Sequence, residues 1–103
     1  MTTDATRHPR HGMDEQLNAP VRLSLLALLA TVENAEFATV RDALDVSDSV
    51  LSKQVAQLET VGYVLVKKGY VGKRPRTWIG ATDLGRAALG RHLAALRDVV
   101  GGL

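Results

Sequence analysis

Two hydrophobic periods meet at one glycine, and that junction narrows the fold more than any other feature of the chain. Before Gly62, Leu51, Val55, Leu58 and Val61 gather on one side of a helix projected at about 100° per residue, with Val50 and Gln54 at its edge. After it, Tyr63, Leu65 and Lys67 alternate with Val64, Val66 and Lys68, which is the period of a strand. The helix is expected from about Asp48 to Val61, with Ser47 as its N-cap and Gly62 as its stop. In front of it, Thr39 can cap a shorter helix over Val40–Leu44, where Val40, Ala43 and Leu44 keep helical spacing, and Asp45 and Val46 make the turn between the two. Behind the strand, Gly69, Gly72 and Pro75 punctuate a loop, and Thr77–Ile79 returns as a second strand. Ala38–Thr82 therefore reads as short helix, tight turn, helix, and two strands joined by a basic loop.

The flanks supply packing. Asn18 can cap a first helix whose second residue is Pro20, a position where the missing N–H had no partner. Val21, Leu25, Leu28, Leu29 and Val32 line one side of it and Leu23 and Leu26 broaden the stripe, so this helix is expected to meet both its own domain and a second subunit. Glu36–Ala38 suits a single edge strand. Thr82 or Asp83 caps the last helix, in which Leu89, Leu93, Leu96, Val100 and Leu103 recur at spacings of 4, 3, 4 and 3. Such a seam can lie on its own domain or pair with the same helix of a second subunit; the second arrangement is the one expected, with Leu25, Leu29, Leu89, Leu93, Leu96 and Val100 as dimerisation residues. Residues 1–13 are polar, with Pro9 and Gly12, and read as a flexible N-terminal tail before a domain over 14–103. His8 and His11 stand three apart in that tail without further ligands nearby, so a solvated tail is expected rather than a metal site, and no cofactor is expected anywhere. Arg7 and Arg10 could instead touch a nucleic-acid backbone or minor groove.

Composition excludes several classes. A chain of 103 residues is one domain, and 46% apolar content suits a modest core that a homodimer interface would help stabilise. The absence of cysteine removes disulfides, thiolate zinc sites and thiol redox sensing, and fits a reducing cytoplasm. No apolar run approaches the roughly 20 residues of a membrane span, and MTTDATRHPRHG lacks the apolar core of a signal peptide. No Cys–His or Ser–His–Asp set lies near a glycine-rich turn and there is no phosphate-binding loop, so the chain does not read as an enzyme.

Net charge is only +2, but it is segregated. From Asp14 to Asp48 there are seven acids and two bases; from Ser49 to Thr82 there are six bases and one acid. The second half thus suits a polyanionic partner, although such a charge run by itself can be a solvated hairpin. The helix before it sharpens the reading. Its outer face, Ser49, Ser52, Lys53, Ala56, Gln57 and Thr60, is small, polar and almost uncharged, where an ordinary surface helix carries paired Glu and Lys. Small residues allow close approach, and hydroxyl, amide and ammonium groups can meet base edges. The loop Lys73-Arg74-Pro75-Arg76 is basic and stiffened by proline, which matches phosphate oxygens or a minor groove. Asp45 and Asp48 would repel phosphate and are better suited to turn and cap geometry. Trp78 is read as a packing anchor behind this loop rather than a ligand-stacking residue.

The order of elements, carried by VSDSVLSKQVAQLETVGYVLVKKG (Val46–Gly69) and VGKRPRTWIGATDLGRAAL (Val71–Leu89), resembles the winged helix-turn-helix, and within it the regulators related to the MarR type. The resemblance covers about Asp14 to Val100. It implies a mainly α fold with a small β-hairpin wing, and a homodimer that places its recognition helices in successive major grooves of double-stranded DNA. Ser49, Ser52, Lys53 and Gln57 would then read bases, and Ser47, Lys67, Lys68, Lys73, Arg74, Arg76 and Thr77 would meet the backbone. Wings of this type often carry an acid just before the key arginine. Here the wing has none, which leaves open whether Arg74 or Arg76 takes that role. Two further readings stand beside this one. Winged helices also serve as protein-interaction modules. RNA binding is disfavoured by 4% aromatic content, which leaves no stacking platform. A small-molecule effector, if one acts, would sit between the first helix, the last helix and the Trp78 strand.

Overall fold

The computed structural model describes residues 7–101. Two short 3-10 turns, Pro9–Gly12 and Glu15–Leu17, lead into α1 (Pro20–Leu29), β1 (Ala35–Glu36), α2 (Phe37–Leu44), α3 (Asp48–Thr60), β2 (Val64–Val71), β3 (Arg74–Ala81) and α4 (Asp83–Gly101). The strands form one antiparallel sheet in the order β1-β3-β2. Leu17, Leu25, Leu26, Leu29, Val40, Leu51, Leu58, Val64 and Ile79 are fully buried and join the three N-terminal helices to one face of the sheet.

The helix-to-strand junction at Gly62 is as the two periods predict. Ser47 Oγ accepts from the Val50 N–H at 3.2 Å and caps α3. Gly62 follows the helix with φ 81°, a left-handed value that favours glycine. Asp45, at φ 54°, closes α2 instead of a glycine, its N–H bonding back to the carbonyls of Arg41 and Asp42. Of the two candidates for the last cap, Thr82 takes the role: its Oγ1 accepts from the Gly85 N–H at 2.9 Å and donates to the Gly62 carbonyl at 2.6 Å. Gly85 lies so close to the chain after α3 that a Cβ there would stand 2.1 Å from the Tyr63 carbonyl oxygen. The Thr-x-x-Gly spacing therefore locks the start of α4 onto the end of α3.

Several expectations are corrected. Asn18 does not cap α1; Ala19 holds that position without a side-chain bond, because Asn18 closes the preceding 3-10 turn. The edge strand is Ala35–Glu36, and α2 begins at Phe37, so Thr39 lies within the helix. Within the expected tail 1–13, Pro9–Gly12 forms a 3-10 turn packed along α4, where a Cβ on Gly12 would stand 3.3 Å from that of Ala95. Residues 1–6 of the expected tail lie outside the described residues. The hairpin is longer than expected and its loop is only Gly72 and Lys73. Gly72, at φ 63°, fills the first position of a type II′ turn. Pro75 is inside β3 because Val71 and Arg74 form the bonded closing pair, so the next pair, Tyr70 and Pro75, needs no ladder N–H.

Trp78 packs on the sheet, but outside the core. The register puts it opposite Lys67 on the outward face of the sheet, its ring over Gly69, where a Cβ would meet Cζ3 at 3.1 Å. Ile79 takes the buried place instead. The expected dimerisation set also divides. Leu25 and Leu29 are fully buried within the protomer and Leu89 nearly so, because the stripe of α1 is used up against α2, α3 and the sheet. Leu93 and Val100 remain exposed and Leu96 half-buried on α4. Leu103 lies outside the described residues.

Candidate nucleic-acid interface

Burial of Leu51, Val55 and Leu58 fixes the rotation of α3 and leaves Ser49, Ser52, Lys53, Ala56 and Thr60 exposed on the opposite side. Three of the four expected base readers, Ser49, Ser52 and Lys53, are among them. Gln57 is at the margin, half-buried, and its Nε2 donates to Gln16 Oε1 at 3.2 Å. Ser47 is exposed at the helix start, but its hydroxyl is already used as the cap and lies 3.2 Å from that of Ser49.

The acid at the start of α3 is neutralised locally. Arg41 on α2 donates to Asp48 at 2.8 Å and to Asp42 at 2.9 Å. These two carboxylates, Asp42 first, raise the Arg41 pKa above its already high ordinary value. Asp48 therefore keeps its favourable place at the positive end of α3 while its charge is balanced toward an approaching anion. Residues 41 and 48 meet only because the turn at Asp45 folds α2 back across the start of α3, a contact without a short-range sequence signal.

The hairpin sorts its bases by parity. Lys68 pairs with Thr77 and Lys67 with Trp78, so these two lysines point to opposite faces. Lys68 and Thr77 turn toward α3 and, with Ser52, Ala56 and Glu59, line a groove of about 480 Å³ between helix and wing. Lys67, Arg74 and Arg76 lie on the Trp78 face. Lys73 is at the tip. Among the described residues Lys53, Lys67, Lys68, Lys73 and Arg74 form no ion pair. Arg76 is different: its Nε donates to Glu36 Oε1 at 2.7 Å and its Nη1 to the Pro75 carbonyl at 3.2 Å. The acid missing from the wing is thus supplied across the sheet by β1. Glu36 was legible in the sequence only as part of a short strand. Tyr70, 73% exposed beside Lys68, has no signal in the sequence, where the alternation ends at Lys68.

Residues 21–100 match the winged helix DNA-binding domain family. The chain belongs to that family. It is 34% identical over 76 residues to an uncharacterized protein of Methanocaldococcus jannaschii, a match that covers 74% of this chain and 83% of the relative. The solved structure of a transcriptional regulator homologue from Pyrococcus horikoshii OT3 superposes with a TM-score of 0.85 at 30% identity, over 94% of this chain and 97% of that one. A MarR-family transcriptional regulator from Rhodococcus sp. RHA1 shares the fold with a TM-score of 0.69 at 20% identity, over 91% of this chain and 69% of that one. As a winged-helix protein this chain keeps the MarR-like order of elements, with four α-helices and a three-stranded antiparallel sheet. No helix among the described residues is long and apolar enough to cross a membrane.

Proposed function

We propose that this protein is a dimeric, sequence-specific regulator of transcription that binds double-stranded DNA and represses by occupying its site. The observation that carries the reading is the exposed, nearly uncharged face of α3 beside a hairpin whose lysines and Arg74 have no internal partner. On this reading Ser49, Ser52 and Lys53 approach base edges in the major groove, with Gln57 at their margin. Lys67, Lys68, Lys73, Arg74, Arg76 and Thr77 follow the backbone, and Ser47 meets it at the helix start. Leu93, Leu96 and Val100 of α4 pair two protomers so that two half-sites are read with centres about 34 Å apart. The relatives that are transcriptional regulators support the same reading. An effector, if one acts, has room in a hollow of about 300 Å³ between the start of α1 and α4, lined by Leu17, Leu23 and Leu96; Trp78 lies elsewhere.

The test is binding to a random-sequence duplex across a salt series, wild type beside a Lys68/Lys73/Arg74 triple alanine. Salt-dependent binding that collapses in the mutant supports the assignment. No binding by the wild type at low salt overturns it. That result would favour a protein-interaction module, the reading supported by the exposure of Leu65 and Val71 on the Trp78 face of the sheet.

A further inference from the structure

The recognition helix is braced along one edge by the segment that precedes α1. Gln57 Nε2 donates to Gln16 Oε1 at 3.2 Å. Arg22 bridges the same two elements, its Nη1 donating to Gln54 Oε1 at 2.8 Å and its Nε to the Gln16 carbonyl at 2.6 Å. The segment itself is anchored. The Asp14 N–H donates to Nδ1 of His92, which is buried in α4, at 2.9 Å. Asp14 Oδ1 accepts from the Gln16 N–H at 2.8 Å, and its Oδ2 accepts from the Tyr63 hydroxyl. A continuous polar chain therefore runs from the interior of α4, through the Glu15–Leu17 turn, to two amides of α3.

We propose that Gln16 is a positioning residue for sequence recognition, holding the Gln57 carboxamide in one orientation at the margin of the reading face. This inference rests on the DNA-binding reading above. A free glutamine reaches a base edge through three rotatable bonds and presents its oxygen or its nitrogen with little preference, so it discriminates poorly and loses rotamer freedom on binding. With one Nε2 hydrogen held by Gln16, the oxygen and the second hydrogen have defined places, the pair of groups that recognises adenine in the major groove. Because Asp14 hangs from His92, that orientation is referred to α4 and not to a mobile surface loop. Gln16 contacts no DNA itself; it acts through Gln57.

The experiment selects duplexes from a library with a randomised core using the full-length wild type, then measures binding of the selected duplex and its single base-pair replacements. Gln16→Ala is expected to lower discrimination at one base pair per half-site by about tenfold, the worth of one fixed base contact. Discrimination elsewhere, binding to unselected duplex and melting temperature are expected to stay near wild type. Gln16→Glu keeps the acceptor for Gln57 and is expected to restore discrimination; its added negative charge weakens all duplexes alike and cancels in the ratio. Gln16→Met keeps the length and packing without the amide, and answers the same question if Gln16→Ala loses structure. Unchanged discrimination in Gln16→Ala or Gln16→Met, or an equal loss at every position, overturns the inference and leaves the DNA-binding reading standing. A wild type that enriches no sequence overturns both.

Discussion

Substituting Glu36 by glutamine should make this protein bind DNA more tightly, and the size of the effect follows from the wing geometry. Glu36 Oε1 lies 2.7 Å from Arg76 Nε, with both side chains about a third exposed, at 35% and 34%. The pair is close to neutral as seen by an approaching phosphate. Such exposed pairs contribute only about 0.2–1 kcal/mol to folding, so Glu36→Gln should leave the fold intact. It removes one negative charge from the wing and frees one positive charge to neutralise a phosphate. Each phosphate neutralised steepens the dependence of log binding constant on log salt by about 0.9. Per protomer, then, the variant should gain about 0.9 in slope, so its advantage over wild type changes about 3.5-fold between about 50 and about 200 mM salt. Fluorescence anisotropy with a random-sequence duplex reads this directly. Arg76→Ala should move the other way by about one contact, because it leaves Glu36 uncompensated beside the backbone. If Glu36→Gln weakens binding, or leaves the slope unchanged, the screening argument is wrong and Glu36 is holding Arg76 in place for DNA.

Three further outcomes are expected. Gly85→Ala places a Cβ 2.1 Å from the Tyr63 carbonyl oxygen, where ordinary contact begins at 3.4 Å, so α4 must shift by about 1.3 Å and strain the Thr82 bonds to Gly62 and Tyr63. Urea unfolding should show a loss of about 2–4 kcal/mol, at about 1 kcal/mol for each of those bonds and for the cap they share. Leu93→Glu with Val100→Glu puts charge on the exposed side of α4, and sedimentation should show a monomer if that side is the dimer contact. Tyr63 has its pKa raised, first by its hydrogen bond to Asp14, then by burial and by the Asp14 charge. Its contribution to stability is therefore complete below the ordinary phenol value and is lost as pH rises through the raised one. Tyr63→Phe should flatten the fall of melting temperature at strongly alkaline pH.

The fold was legible where local chemistry and global packing agree. Ser47, Gly62 and the switch from helical to alternating period mark the junction between reader and wing, and each marks a backbone requirement that few other residues meet. Thr82 and Gly85 announce the start of α4 for the same reason. Reading failed where a partner lies far along the chain. Pro75 looked like a loop residue because proline interrupts ladders, yet the parity of the hairpin gave it a position without a ladder bond. Trp78 is legible as a packing residue, but not the face it packs on: one residue of register decides between the two, and Ile79 has the inner one. Leu25 and Leu29 looked available to a second subunit because α1 carries more leucine than one face needs; the protomer buries them first.

The same distinction separates the proposed base readers from the groups that hold them. Ser49, Ser52 and Lys53 are visible in sequence because they break the pattern of an ordinary surface helix. Glu36, Arg41, Gln16 and Arg22 break no pattern. Each is an unremarkable polar residue until the fold brings it to a side chain of the candidate interface, Glu36 to Arg76, Arg41 to Asp48, Gln16 to Gln57 and Arg22 to Gln54. These four lie on the acidic side of the chain, in the half whose charge is opposite to that of DNA. The segregation of charge thus has two sides: the basic half supplies groups for the anion, and the other half supplies groups that orient or neutralise them. A variant scan confined to the basic half would therefore reach the proposed base readers and phosphate contacts but miss Gln16, Arg22 and Glu36, the groups that hold or neutralise them.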